Sequence, residues 1–241
     1  MQSEVLIMKN SKVIKAVLSQ SLLFIVNVAA ALFYTPYLLN CLGGEAYAFY
    51  PLSLGIVNFG SVITVISTSM LSAFLINDYR AGNFEKVNEF INSALFSNFL
   101  TASLISLPFM VGSVFVDKIL NVPARIVYDV RLLFATVTAA FFITQIRNTF
   151  MVTCMASGNR YLNSSQKAVE KIIAMGIAVS AFFIFKASVV WIGAGVLAAA
   201  IIRFYITLHS AKTIFPALNI DKRLIRKSAV KELFSAGSWN A

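Results

Sequence analysis

Two arginines lie inside stretches of sequence that are otherwise apolar enough to cross a bilayer. Arg147 stands in a short polar group with Gln145 and Asn148, and Arg203 follows in a later apolar stretch. A guanidinium in lipid is costly unless it meets a wet cavity or a partner. Arg147, with Gln145 beside it, is therefore interpreted as lining a wet cavity where it would contact substrate, with snorkelling as the alternative. Arg203 lies nearer a predicted helix end, which favours snorkelling of its head to the interface, with substrate contact as the alternative.

Further polar residues recur at helical spacing inside the apolar stretches. Gln20, Asn27 and Tyr34 are seven residues apart, which places them on one face of a helix. Two later stretches carry similar stripes, which are Asn58, Ser61, Thr64 and Thr68, and then Asn98, Thr101 and Ser106. Three such helices could surround a hydrated cavity, so Gln20, Asn27 and Asn58 join the candidate substrate-binding residues. Ordinary hydrogen bonding between helices is the alternative.

Residue patterns typical of catalysis are missing from the sequence. It shows no nucleophile–base pair, no paired carboxylates, no metal-ligand spacing and no phosphate-binding glycine loop. Cys41 and Cys154 are predicted on opposite sides of the membrane, so we expect no disulfide between them. We expect a non-enzymatic protein without metal or cofactor. We also expect the spans to contribute no buried carboxylate, which argues against a proton- or sodium-coupled drug exporter.

Composition places these residues in a membrane. The chain has 241 residues, of which 59% are hydrophobic and 12% charged, whereas soluble domains have about 25% charged residues. Between Ala16 and Asn77 a single residue, Glu45, is charged. The sequence therefore predicts an all-α integral membrane protein. Its net charge of +10 resides mostly between the apolar stretches, which indicates contacts with anionic lipid headgroups rather than with nucleic acid.

Six membrane-spanning helices are predicted from the apolar stretches. Their approximate ranges are 16–39, 47–76, 90–116, 131–155, 168–185 and 188–208. Basic residues are more abundant in the segments that would be cytoplasmic if the N-terminus is inside, and Lys167 and Lys171 are counted there. Residues 216–234 have rough helical periodicity with Lys and Arg between apolar positions, which fits an amphipathic helix at the interface or a solvated connector equally well.

Several short segments together resemble a known family of transporters. They are the outer turn Leu42-Gly-Gly-Glu-Ala-Tyr, the segment Ser72-Ala-Phe-Leu-Ile-Asn-Asp-Tyr-Arg80, the polar run that follows it, and Ala156-Ser-Gly-Asn-Arg-Tyr-Leu-Asn163. They resemble the polysaccharide flippases, the O-antigen and teichoic-acid exporters of the multidrug/oligosaccharidyl-lipid/polysaccharide exporter superfamily.

The resemblance implies an architecture and a function. Such proteins have two six-helix bundles around a central cavity and move undecaprenyl-diphosphate-linked oligosaccharide across the bacterial cytoplasmic membrane. Residues 1–211 would form the N-terminal bundle, and residues 212–241 a cytoplasmic linker and the start of a seventh helix. A C-terminal partner bundle or a second copy would complete the cavity. A cation exporter of the same superfamily, a membrane-embedded glycan-modifying enzyme and a bundle inactive by itself remain alternatives.

Overall fold

Long helices account for most of the chain. The computed structural model describes residues 2–226 and 228–230, with side chains described from residue 11 onward except at 62–70, 73, 79 and 80. Its α-helices are α1 (Gln2–Ala29), α2 (Thr35–Leu42), α3 (Gly44–Tyr47), α4 (Phe49–Arg80), α5 (Phe84–Val114), α6 (Val116–Ile119), α7 (Val127–Ala156), α8 (Tyr161–Ile184) and α9 (Val189–Ile214). A π-helical turn, Ala30–Tyr34, joins α1 to α2 without a break.

Within the part of the chain that the structure describes, four helical segments are long and apolar enough to cross a membrane. They are Ser11–Leu42, Phe84–Val114, Ala124–Ala156 and Val189–Ile214. No strand occurs among residues 2–226 and 228–230. The predicted all-α integral membrane protein is therefore confirmed.

The other two predicted spans correspond to α4 and α8. At 32 residues, α4 is about 48 Å long, more than a bilayer requires. The 24-residue α8 begins at Tyr161, seven residues before the predicted start, and carries Lys167, Glu170 and Lys171 in its first half. Those charges belong to a helix rather than a loop. The six-span arrangement and its orientation therefore remain predictions.

The helices pack in a definite order around α7. This helix contacts α9, α5 and α4, while α9 lies between α7 and α8, and α1 packs mainly on α8. At the predicted outer end, Phe49, Val116, Val130 and Val189 share one buried cluster. Cys41 at this end and Cys154 near the opposite end of α7 are both free thiols, as expected.

Glycines allow α9 to approach its neighbours closely. A Cβ atom added at Gly195 would lie 2.6 Å from the backbone oxygen of Ala174 on α8, and one at Gly193 would collide with the hydroxyl of Thr136 on α7. Small residues of this kind let backbones meet where lipid offers no hydrophobic driving force for association. The contact holds α8 and α9 at the distance that their polar side chains need.

The chain after α9 differs from its predicted form. From Phe215 to Arg226 it contains no α-helix; it has a turn at 216–217 and a 3-10 turn at Lys222–Leu224, with extended backbone at Asp221 and Ile225 on either side of the latter. The amphipathic-helix interpretation is therefore wrong for this part, because Asn88 and Asn92 of α5 bond its backbone instead. Residues 231–241, where the start of a seventh helix was predicted, lie outside the described residues.

We predict that Gly195→Ala destabilises the bundle by about 1–3 kcal/mol, the usual cost of overpacking. Gly176→Ala on α8 is the matched control, because a Cβ there would have no atom within 4 Å. It should be neutral or stabilising by about 0.5–1 kcal/mol, since alanine is the better helix former. Free energies of unfolding measured in detergent micelles with added SDS test both variants. Equal effects of the two would contradict a close α8–α9 contact.

Candidate functional site

The polar stripe of α1 faces α8. Ser164 Oγ donates to Gln20 Oε1 at 2.7 Å, and Lys171 Nζ donates to Asn27 Oδ1 at 2.7 Å. Both pairs repeat after seven residues on both helices, so the two faces meet in register. The predicted alignment of Gln20 and Asn27 on one face is confirmed. Each of these amides bonds a neighbouring helix while remaining partly open to the outside.

An ion pair joins α8 to α9 within the bundle. Arg203, which is 3% exposed, pairs through Nη1 with the Glu170 carboxylate. Its Nη2 also donates to Asn163 Oδ1 at 3.1 Å. Snorkelling is therefore the wrong interpretation of Arg203, because α9 continues 11 residues beyond it, about 16 Å of helix, to Ile214.

The expectation of a carboxylate-free interior is also wrong, because Glu170 lies well inside α8. It is nine residues from the start of that helix, or about 14 Å. Lys167 and Lys171 on either side make this part of the sequence resemble a solvated loop. Arg203, the partner of Glu170, is 33 residues away on another helix, so no short stretch of sequence indicates the pair.

Arg147 is buried, and no carboxylate among the described side chains pairs with it alone. It is 3% exposed and lies nine residues before the end of α7. Its Nη2 donates to Asn148 Oδ1 at 2.8 Å, and Asn148 Nδ2 donates to Gln145 Oε1 at 3.2 Å. Nε and Nη1 of Arg147 have no acceptor among the described residues. A buried cation with two unused donors is an incomplete arrangement that an anion would complete.

The charges of three helices meet around Arg147. Arg147 is close enough to Arg203 and Glu170 for their charges to interact, and Lys167 interacts with all three. We call these four residues the charge cluster. It holds three cations and one carboxylate, so it is positive overall. Lys167, the exposed member, lies at its edge.

Two cavities continue the polar surface along α1 and α8. A cavity of about 290 Å³ is lined by Asn27, Tyr34, Tyr50 and Lys171, among others. A groove of about 500 Å³ towards the predicted inner end is lined by Gln20, Arg160 and Ser164, among others. Polar groups therefore occur at successive turns along the α1–α8 seam, on both sides of the level of the charge cluster.

The remaining predicted stripes lie elsewhere. Asn58 is exposed on α4 and does not line either of these cavities. Asn98 of α5 donates to Thr149 of α7 at 2.8 Å, a buried bond between two helices. The prediction that three polar stripes surround one cavity is therefore wrong for the described residues. Sequence analysis missed Lys171 and Glu170 as members of the site, although both fall within the predicted 168–185 span, because Lys171 is counted with the cytoplasmic segment and Glu170 has its partner on another helix.

Removing the charge of Glu170 should destabilise the bundle. Glu170→Gln leaves Arg203 buried without its counter-ion, so we expect a loss of about 2–4 kcal/mol. Glu45→Gln is the matched control, since Glu45 pairs with Arg125 on the surface, where the side chains are 57% and 76% exposed. Its loss should stay below about 1 kcal/mol. Unfolding in detergent measures both, and a small effect at both positions would contradict the buried pair.

Comparisons with known proteins agree with a membrane location. No protein-family model matches the chain. The chain is 28% identical over 218 residues to the uncharacterized membrane protein EpsK of Bacillus subtilis (strain 168), an alignment that covers 90% of this chain and 43% of EpsK. The chain thus spans less than half the length of this relative. Together with the four apolar helices, the similarity identifies a multi-pass membrane protein.

Proposed function

We propose that this chain forms one wall of a transporter that moves undecaprenyl-diphosphate-linked oligosaccharide across the bacterial cytoplasmic membrane for cell-surface polysaccharide synthesis. The observation that carries the proposal is Arg147, a buried cation with two free donor groups in a positive cluster. A diphosphate supplies several acceptor oxygens and the negative charge that this cluster lacks. Charge-assisted hydrogen bonds from a guanidinium to phosphate are short and strong.

The α1–α8 seam gives the rest of the headgroup a polar surface. Gln20 and Asn27 present amides, and Lys171 an ammonium, at levels on either side of the charge cluster. Sugar hydroxyls can form hydrogen bonds with such groups, while the polyprenyl chain stays in lipid beside the exposed apolar face of α1. Transport of this kind needs no covalent chemistry from the protein.

The charge balance favours an anionic substrate over a cationic drug. A cation exporter needs a carboxylate that is free to bind its substrate or a proton. Glu170 is the carboxylate of the charge cluster, and it is already paired with Arg203 and close to Lys167 and Arg147. A cationic substrate would meet net repulsion there.

The proposal extends to topology and partners. The N-terminus lies in the cytoplasm, so the predicted inner end, with Lys12, Lys15 and Arg160, faces anionic headgroups of the inner leaflet. The cavity is completed by a C-terminal partner bundle or by a second copy of this chain. The exposed apolar side chains of α1 and of the π-helical turn after it, which include Phe24, Leu32 and Phe33, face that partner or lipid.

Leaflet movement of a labelled substrate tests the proposal. Proteoliposomes would contain the chain and undecaprenyl diphosphate bearing a fluorescent oligosaccharide, with an external glycosidase reporting outer-leaflet molecules. We expect movement with the unaltered chain and a rate about ten- to a hundredfold lower with Arg147→Gln, the loss of one charge-assisted bond.

Arg125→Gln is the matched control for this assay. Arg125 is an exposed arginine at the predicted outer end, and its removal should leave the rate unchanged. Equal rates with and without Arg147 would remove this residue from the mechanism. The absence of any movement would contradict a cavity completed by a second copy of this chain, since no partner bundle is present in the assay.

A further inference from the structure

A second set of buried polar side chains lies far from the charge cluster, near the start of α5. Asn88, Asn92 and Ser93 are 8%, 4% and 0% exposed. We call these three residues the amide ladder. Their hydrogen bonds within the described part of the chain go neither to the charge cluster nor to the α1–α8 seam, so the proposed transport of a lipid leaves them without a role.

The amide ladder binds the backbone of the segment that follows α9. Asn88 Nδ2 donates to the oxygen of Ala217 at 2.8 Å, and Asn88 Oδ1 accepts from the amide of Asn219 at 3.0 Å. Asn92 repeats the pattern one step along, donating to the oxygen of Asn219 at 2.7 Å and accepting from the amide of Asp221 at 3.0 Å. Ser93 Oγ accepts from the amide of Arg226 at 3.0 Å.

The spacing of these bonds is that of a β-strand. The contacted residues, 217, 219 and 221, alternate along the chain, as residues do when one edge of a strand meets a neighbour. Each asparagine amide uses one N–H donor and its oxygen acceptor towards the segment, as a peptide group would, while the second N–H of Asn92 bonds the Asn88 backbone oxygen. The two asparagines, one helical turn apart, thus act as two successive peptide groups of a missing partner strand.

Apolar burial fixes only the beginning of the segment. Phe215 is 2% exposed and packs with Leu71, Leu75 and Ile91. Farther along, Ile220 is 52% exposed. The segment ends at Arg226, whose Nε lies 3.0 Å from Glu89 Oε1 and whose backbone oxygen accepts from Val230 in the helical turn at 228–230.

We infer that the amide ladder is a binding site for an extended polypeptide backbone, occupied by residues 217–226, and that it acts as a rigid strap. The strap fixes the helical turn at 228–230 relative to α5. Recognition depends on backbone groups, so the exposed side chains of the segment are free to vary, while the amide hydrogens at 219, 221 and 226 are required.

Substitution by proline or by alanine distinguishes the contribution of the backbone amide at residue 219 from that of the side chain. Asn219→Pro removes the amide hydrogen that Asn88 accepts, whereas Asn219→Ala keeps it and removes only an exposed side chain. The variants lie outside α5, so the bundle can fold in both. Hydrogen exchange at the amides of Asp221 and Arg226 should be at least about tenfold faster with Asn219→Pro, which corresponds to losing about one net hydrogen bond. With Asn219→Ala the exchange rates should be nearly unchanged.

A distance measurement tests the rigid strap itself. Nitroxide labels would be placed at the exposed positions Glu85 and Ser228, with Cys41→Ser to prevent labelling there, and distances measured by double electron–electron resonance. We expect a narrow distribution in the otherwise unaltered chain and with Asn219→Ala, and a broad one with Asn219→Pro or Asn88→Leu.

Two results would overturn the inference. One is equal exchange rates at Asp221 in the proline and alanine variants, which would mean that the ladder does not hold the backbone. The other is a narrow distance distribution in the proline variant despite fast exchange, which would mean that the ladder does not fix the turn at 228–230. Neither readout depends on lipid transport, so failure of the proposed function would leave this inference standing.

Discussion

The ion pair between Arg203 and Glu170 is the interaction on which the arrangement of this bundle depends. Lipid offers no hydrogen bonds, so a charge buried between α8 and α9 must find its partner within the protein. The pair requires these two helices to be neighbours, and Gly195 permits the close contact that the pair needs. Removing either side chain of the pair would leave the other charge buried without a counter-ion. The bundle tolerates the Glu170 carboxylate at this depth because Arg203 neutralises it.

Because lipid supplies no hydrogen-bond acceptors, the partners of Arg147 within the protein indicate what this residue is for. Arg203 has its acceptors in Glu170 and Asn163, whereas Arg147 uses only the amide of Asn148. A protein that needed Arg147 for stability alone would be expected to provide a carboxylate for it. The cluster instead keeps an excess of positive charge beside a polar seam. Under the proposed function this excess positive charge is the binding site for an anion, at some cost to the stability of the empty protein.

Sequence reasoning succeeded where one helix contained the whole signal. Apolar length predicted the long helices, and heptad spacing placed Gln20 and Asn27 on one face. It failed where the partner was distant. No local pattern pointed to Glu170, whose partner Arg203 is 33 residues away, and the helical periodicity after residue 216 had to compete with asparagines about 130 residues earlier. In both cases a tertiary partner overrode a local pattern.

The binding preference of the purified chain tests the central claim most directly. Undecaprenyl diphosphate, undecaprenyl phosphate and undecaprenol differ only in the terminal group, which is the group proposed to reach Arg147. Their affinities for the chain would be measured in the same detergent by native mass spectrometry. The account predicts that affinity falls in that order, by about tenfold or more between the diphosphate and the alcohol, the effect of one charge-assisted bond. Equal affinity for all three lipids would contradict an anion site at Arg147.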